Sequence, residues 1–471
     1  SLAVTALYDA LKAKTTDDTK LAAIDQFDYV LGLDLTDRAM EKREADTKAA
    51  AAAASTEFAV IAEDGADDPE ITEKIRARQQ AKKAKNFAEA DRIRDELKAQ
   101  GIDIISLSIG EPDFNTPENV KQDAKMAIDA NMTHYPPVPG YMDLRKAACR
   151  KFRRDNRLNF TPDQIVISTG AKQSIYQLCQ VLLNPGDEVI IPTPYWVSYK
   201  AFVYLAGATP VFVKTRIEDD FKVTPEALEA AITPKTKLIM FSSPSNPTGM
   251  LYSKEELRAM ADVVLKHENL FVMADEIYEH INFVGRHESI AQFEDMKERA
   301  IVINGLAKGF AMTGWRIGIL AAPKPIAKAC AKLQGQVTSG TCSIAQRAAV
   351  SALEIDPATS RYLARMHRAF SERRELVYKG LCDIPGLKVR MPQGAFYFFP
   401  DCSSYYGKSY NGTTVNNSTD MAFYLLNEAH VAVVMGSAFG DDSCIRLSYA
   451  TSEELLAEAL RRMKEALAKL A

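Results

Sequence analysis

The sequence has no run of apolar residues long enough to span a bilayer, and none of its seven cysteines stands in a CxxC or other metal-binding spacing. The first lack argues against a helical membrane span. The second, with an odd cysteine count in a long chain, leads us to expect reduced thiols and a cytoplasmic setting. A charged-then-apolar secretory start is also missing. So is an excess of one charge: the formal net charge of −4 supplies no basic field for nucleic acid. The histidines have no partner at ligand spacing along the chain, so no metal is expected. No internal repeat is found. What is present is length, since 471 residues exceed one ordinary core and imply two or three domains.

The texture changes near residue 100. Before it the chain is rich in Ala, Lys, Arg, Asp and Glu, with an alanine tract at Ala49–Ala54. Asp68 before Pro69 is a helix-start signal, and Ile75, Phe87, Ile93 and Leu97 suit one face of a helical hairpin. After residue 100, short apolar runs (IISLSI, QIVIST, EVIIPT, KLIMFSS, LFVMADE, RAIVING) alternate with segments of helical period. That alternation implies βαβ units and a mostly parallel sheet covered on both faces, an α/β fold. From about Ser351 the tail mixes long helices with GAFYFFP and VAVVMGS, which suits a smaller α+β domain.

Several segments can carry chemistry. DEIYEH (Asp275–His280) follows the run LFVM, and an acid just past a buried strand points into the crevice where α/β proteins bind ligands; a helix cap would look the same. NGLAKGFAMTGWRIG (Asn304–Gly318) puts Lys308 in a small-residue loop after a strand, where an amine is more easily desolvated than on a surface. STGAKQS (Ser168–Ser174) could offer backbone N–H groups to a phosphate at a helix N-terminus. PTPYWVSY contains Trp196, either a core residue or a flat surface for a flat cofactor. SPSNPTG (Ser243–Gly249) reads as a turn, and its Asn246 is a good hydrogen-bonding group.

Read in order, SIGEPDF, HYPPVPGYMDLR, GAKQS, PYWVSY, SNPTG, DEIYEH, AKGFAMTGWRIG, QGAFYFF and CIRLSYA resemble the class I/II aminotransferases of pyridoxal-phosphate (PLP) fold type I, in particular the bacterial aspartate aminotransferase subgroup. The likeness runs from about Gly101 to the C-terminus. It implies a PLP-binding large domain over residues 140–340 and a small domain over 101–139 and 341–471. It also implies a reaction that exchanges amino groups between an amino acid, aspartate or glutamate favoured, and a 2-oxo acid such as 2-oxoglutarate. Lys308 would form the Schiff base with PLP and move the Cα proton. Asp275 would pair with the ring nitrogen, keeping the ring an electron sink. Tyr278 and Asn246 would bond the ring's phenolic oxygen, and Trp196 would stack on the ring. Ala171, Lys172 and Arg316 would hold the phosphate, with Tyr135 reaching it from the second subunit of a homodimer. Arg446 would bind the substrate α-carboxylate, with the Gly110 backbone close by, and Lys172 would meet the distal carboxylate.

Two departures stand out. Ala307 precedes the lysine where many relatives have serine, removing one phosphate hydrogen bond. The family's usual N-terminal arm is replaced by residues 1–100, an expected helical extension. There FDYVLGLDL and AKKAKNFAEADRIRDELKAQGI resemble the C-terminal helical region of cysteinyl-tRNA synthetases, so the chain reads as a fusion. Neither HIGH nor KMSKS occurs, so no tRNA charging is expected. Lys82, Lys83 and Lys85 could touch an RNA backbone but read better as a solvated helix face. Two other functions stay open: a prephenate or aromatic amino acid aminotransferase, and a tRNA-binding or scaffolding protein with an inactive aminotransferase part.

Overall fold

The computed structural model describes residues 103–471. The helical hairpin, the synthetase-like segments and the basic cluster at residues 82–85 lie outside the described residues. A seven-stranded sheet organises the chain: β1 (Ile165–Thr169), β2 (Glu188–Thr193), β3 (Thr209–Lys214), β4 (Thr236–Ser242), β5 (Phe271–Asp275), β6 (Ala300–Gly305) and β7 (Ile317–Ala321), in the order β1-β7-β6-β5-β4-β2-β3. Neighbours from β6 through β3 run parallel, and β7 runs antiparallel to both β1 and β6.

Alternate residues of the inner strands serve opposite faces. Val189, Ile191, Met273, Ile301 and Ile303 face a cluster with α2 (Ala171–Leu182), α3 (Tyr199–Leu205) and α5 (Lys324–Val337), after α1 (Met142–Lys151) in chain order. Ile190, Val272, Ala274, Ala300 and Val302 face the other core, with α1, α4 (Lys254–Leu265) and α6 (Ser343–Glu354). Both faces are buried, so these strands are apolar throughout rather than alternating, and each large aliphatic side chain contributes about 1.5–3 kcal/mol. Local signals agree. Helix α4 opens on a capping box, in which Glu256 N donates to Ser253 Oγ at 3.2 Å and Ser253 N to Glu256 Oε2 at 2.7 Å.

The C-terminal part carries α7 (Arg361–Cys382), a helix at Glu453–Leu467 and an antiparallel sheet of Val434–Met435, Ile445–Ser448 and Tyr397–Phe398. Ile105–Ser106 pairs in parallel with Val431–Ala432, tying the start of the described chain to this part.

The structure departs from the sequence pattern in two ways. IISLSI gives a strand of only two residues, and GAFYFFP and VAVVMGS give similarly short ones. IGILA, not singled out in the sequence, is the antiparallel β7. The eleven residues between β6 and β7 hold no crossover helix, so the chain returns alongside the strand it left. That return loop carries Lys308. No helix among the described residues is long and apolar enough to cross a membrane, and all seven cysteines are free.

Candidate active site

The site residues stand at the carboxyl ends of the parallel strands, where α/β folds bind ligands. Asp275 is the last residue of β5, and Asn246 lies four residues past β4. Trp196 lies three past β2, and Lys308 three past β6. Gly170 joins β1 to α2.

Asp275 is buried, and its Oδ2 accepts the Tyr199 hydroxyl at 3.0 Å while Oδ1 accepts the Ile277 amide at 3.3 Å. Burial pushes its pKa up to about 6, against the pull of those two donors. The Lys308 amine is pushed down to about 8, by burial first and with the guanidinium of Arg446 adding to it, while Glu111 pulls the other way. Its Nζ donates to the Gly110 carbonyl at 2.5 Å and lies 5.8 Å from the ring centroid of Tyr278. The Tyr278 hydroxyl is 2.8 Å from that of Tyr397, and burial raises the Tyr278 pKa well above its ordinary value.

Arg446 completes the wall. It donates from Nη1 to Asn246 Oδ1 at 3.0 Å and from Nη2 to the Ser108 carbonyl at 2.9 Å. Its guanidinium sits over the rings of Tyr397 and Phe439, 4.5 and 4.9 Å from their centroids. A residue with 7% exposure held by two aromatic faces and two acceptors is a rigid, charged fork.

A fourth corner is built from absent side chains. Gly170 has φ +82° and ψ 157°, a region that only glycine adopts freely. A Cβ there would lie 2.3 Å from Arg316 Nη2, and one on Gly318 would lie 2.3 Å from the Ala171 nitrogen. The first amides of α2, those of Ala171 and Lys172, precede any intrahelical acceptor. The missing Cβ atoms let the Arg316 guanidinium and the backbone of β7 approach the N-terminus of α2 closely, an arrangement of positive groups suited to an anion.

The structure therefore brings Lys308, Asp275, Tyr278, Asn246, Arg446, Gly110, Ala171 and Arg316 around one crevice. Lys172 and Trp196 border it as a pair, with Lys172 Nζ 5.0 Å from the Trp196 ring centroid. Gly110 meets Lys308 rather than Arg446, and Ser108 takes the place beside Arg446. Tyr135 stands apart, 93% exposed. Tyr199, Tyr397 and Ser108 were missed, although each lies inside a segment already quoted. Their aromatic or small character reads as core or turn until the fold shows what they touch.

Comparison with known proteins gives the family. Residues 102–463 match the family described as aminotransferase class I and II. The chain belongs to that family. A bifunctional aspartate aminotransferase and glutamate/aspartate-prephenate aminotransferase from Petunia hybrida is 47% identical over 79% of this chain and 78% of its own. An aspartate/prephenate aminotransferase from Cereibacter sphaeroides is also 47% identical, over 78% of this chain and 92% of its own. Among solved structures, the aspartate aminotransferase of Rhizobium meliloti superposes with a TM-score of 0.77 at 42% identity, covering 82% of this chain and 96% of that one. The Thermus thermophilus aspartate aminotransferase with maleate gives 0.74 at 42% identity, covering 80% and 95%. The family match begins at residue 102, so residues 1–100 lie outside it, and the synthetase likeness is not shown by these comparisons.

Class I and II aminotransferases use PLP, and this crevice fits it. The positive groups at the N-terminus of α2 suit a doubly charged phosphate. The Asp275 carboxylate, whose pKa is raised by burial, suits a protonated ring nitrogen. The part-neutral Lys308 amine suits an aldehyde.

Proposed function

We propose that the protein transfers amino groups between aspartate or glutamate and a 2-oxo acid such as 2-oxoglutarate, with PLP held by Lys308. The observation that carries the reading is the Lys308 amine, part-buried, depressed to about 8, donating to the Gly110 carbonyl and within the electrostatic reach of both Asp275 and Arg446. When bound, PLP supplies an aldehyde that bonds to amines and a ring that accepts the electron pair left at the substrate Cα.

The chain's residues do the rest. Ala171 N, Lys172 N and Arg316 would hold the phosphate. Asp275 would keep the ring nitrogen protonated, and Tyr199 would fix the carboxylate that does so. Tyr278 and Asn246 would hold the ring's phenolic oxygen, and Trp196 would lie against the ring. The Arg446 fork binds the α-carboxylate shared by donor and acceptor. Lys308 would take the Cα proton on Nζ. Lys172, at the crevice edge over Trp196, meets the distal carboxylate of a four- or five-carbon diacid. Relatives named for aspartate, and a related structure with the diacid maleate, support that choice.

Prephenate remains the second acceptor we propose, because two of these relatives carry it in their names and it too bears carboxylates for Arg446 and Lys172. We also place Tyr135 at the partner subunit's site in a homodimer, since an exposed tyrosine in a segment that also exposes Met132 and Met142 suits a contact between copies. The domain division stays at 140–340 against 101–139 with 341–471.

Lys308→Ala tests the assignment. Folded protein that no longer retains PLP through reduction with borohydride, and no longer turns over, is the expected outcome. Turnover in that variant would sink the proposal.

A further inference from the structure

Behind the crevice, on the far side of the turn that carries Tyr278, lies a group of buried charged side chains that the reaction does not use. Glu279 is 6% exposed and Lys151 3%, and the Lys151 ammonium is in direct contact with Glu279 Oε1. Asn156, 3% exposed, donates from Nδ2 to Glu279 Oε2 at 2.6 Å and accepts from Lys151 Nζ on Oδ1 at 2.7 Å. The three side chains form a closed ring of contacts.

The local fold explains how one carboxylate meets both partners. Lys151 ends α1, and residues Phe152–Asn156 continue as a single π-helical turn. In an α-helix, positions five apart stand about 140° around the axis and face different ways. A π turn bonds i to i+5, which brings Lys151 and Asn156 onto one side. The bulge is thus what aims both at Glu279.

The group also touches the loop that carries Lys308. His280 Nε2 lies 3.4 Å from Glu279 Oε1, and its ring packs edge-on against Phe310 at 5.3 Å. A Cβ on Gly309, the residue after Lys308, would fall 2.7 Å from that ring. Next to it, His287 Nε2 lies 3.1 Å from Glu276 Oε2. Glu276 follows Asp275 directly, so the charged groups facing Glu279 are Lys151, His280, His287 and Glu276.

We propose that Lys151, Asn156 and Glu279 are positioning residues for the reaction: by clamping the turn from behind, the ion pair sets where Tyr278 points and seats the Lys308 loop. The inference rests on the proposed role of Tyr278 at the cofactor. Burial is the largest single influence on the Glu279 carboxyl and would raise its pKa, but Lys151, His280, His287 and the Asn156 amide together outweigh it and hold it below the usual carboxylate range. The Glu279 carboxyl is therefore ionised at neutral pH. Loss of one partner would leave a buried charge unpaired, so selection for stability alone would be met as well by an apolar pair.

Glu276, Glu279 and His287 also present ligand atoms within 4.8 Å of one another, a grouping that spacing along the chain did not show. The Lys151 ammonium already sits on Glu279, which disfavours a metal ion there.

The test is a pH titration of the bound cofactor's visible band in holoenzyme, in a double-mutant cycle of Glu279→Gln with Tyr278→Phe. Tyr278→Phe measured alone checks the cofactor reading, for an unmoved band there faults that reading and not this one. Glu279→Gln is expected to move the apparent pKa by about half a unit or more in the same direction as Tyr278→Phe, and to add nothing in the Tyr278→Phe background. A lowered Tm with an unmoved band would overturn the proposal, leaving a purely structural pair. If Glu279→Gln does not fold, Asn156→Ala, which keeps the ion pair, carries the same cycle with a smaller shift expected, and no shift there overturns it. Zinc binding to the holoenzyme that is lost in His287→Ala would also overturn it, by making the cluster a metal site.

Discussion

The Tyr199 hydroxyl donates to Asp275 Oδ2 across 3.0 Å, and both groups are buried. Tyr199 opens helix α3 and reaches down to the end of β5, so a helix on one face of the sheet fixes a carboxylate that faces the crevice. Tyr199→Phe keeps the packing and removes one charge-assisted donor, a bond worth about 1.5–3 kcal/mol. Only part of that is expressed in the reaction, so kcat should fall about tenfold, with PLP affinity changed much less. Steady-state kinetics beside a PLP titration check this, and an unchanged kcat would mean Tyr199 only packs.

Asp275 itself should matter far more. Asp275→Ala removes the negative charge that would keep the ring nitrogen protonated, and with it the electron sink. The expected loss in kcat is about a thousandfold or greater, equivalent to about 4 kcal/mol. PLP binding should weaken modestly, because phosphate and lysine contacts stay. Equal activity in the variant would place the ring nitrogen elsewhere.

The Lys308 amine sets a pH dependence whose sign follows from its charge. Burial disfavours the ammonium, so the folded pKa of about 8 lies below the ordinary 10.5. The neutral amine is the nucleophile toward an aldehyde. At pH 7 about a tenth of it is neutral here, against a few parts in ten thousand for an ordinary lysine. Covalent capture of PLP by the cofactor-free chain should therefore rise with pH and level off above about 8 rather than above 10. Stopped-flow absorbance gives that profile, and a rise continuing past pH 10 would show the amine is not desolvated.

Much of this was legible in the sequence, and the reasons differ by residue. Asp275 ends a strand and Lys308 and Asn246 sit just past strand ends, and a strand leading into small or acidic residues is visible as a local pattern. Arg446 lies within a strand and Tyr397 within another, where side chains alternate between core and crevice; only the pairing of Ser448 with Tyr397 decides which residues face the site. The antiparallel return of β7 was hidden because IGILA reads like any buried strand, and direction depends on the missing crossover helix. Lys151, Asn156 and Glu279 were invisible because charged residues near a helix end read as solvated, and a π turn leaves no mark in the hydrophobic period.

Gly170 should be intolerant of even the smallest side chain. Its φ of +82° with ψ 157° costs any other residue about 1–3 kcal/mol. The added Cβ would also meet Arg316 Nη2 at 2.3 Å, pushing the guanidinium away from the N-terminus of α2. Gly170→Ala should lower Tm and, separately, weaken the binding of PLP and of inorganic phosphate by tenfold or more, about 1.4 kcal/mol. A stability loss without a change in phosphate affinity would place the anion somewhere else.

Arg446→Lys distinguishes a fork from a point charge. The arginine spends one arm on Asn246 Oδ1 and one on the Ser108 carbonyl, with its plane over Tyr397. Lysine keeps the charge but cannot hold two oxygens of a carboxylate in plane while stacking on a ring. Both substrates carry the α-carboxylate, so KM should rise for the amino acid and the oxo acid alike, by about ten- to a hundredfold, or 1.4–2.7 kcal/mol. The cofactor's visible band should stay, since the proposed role of Arg446 is to hold substrate and not PLP. A rise in KM for only one substrate would mean that donor and acceptor do not share this site. Loss of the band would mean that Arg446 supports the cofactor through Asn246 instead.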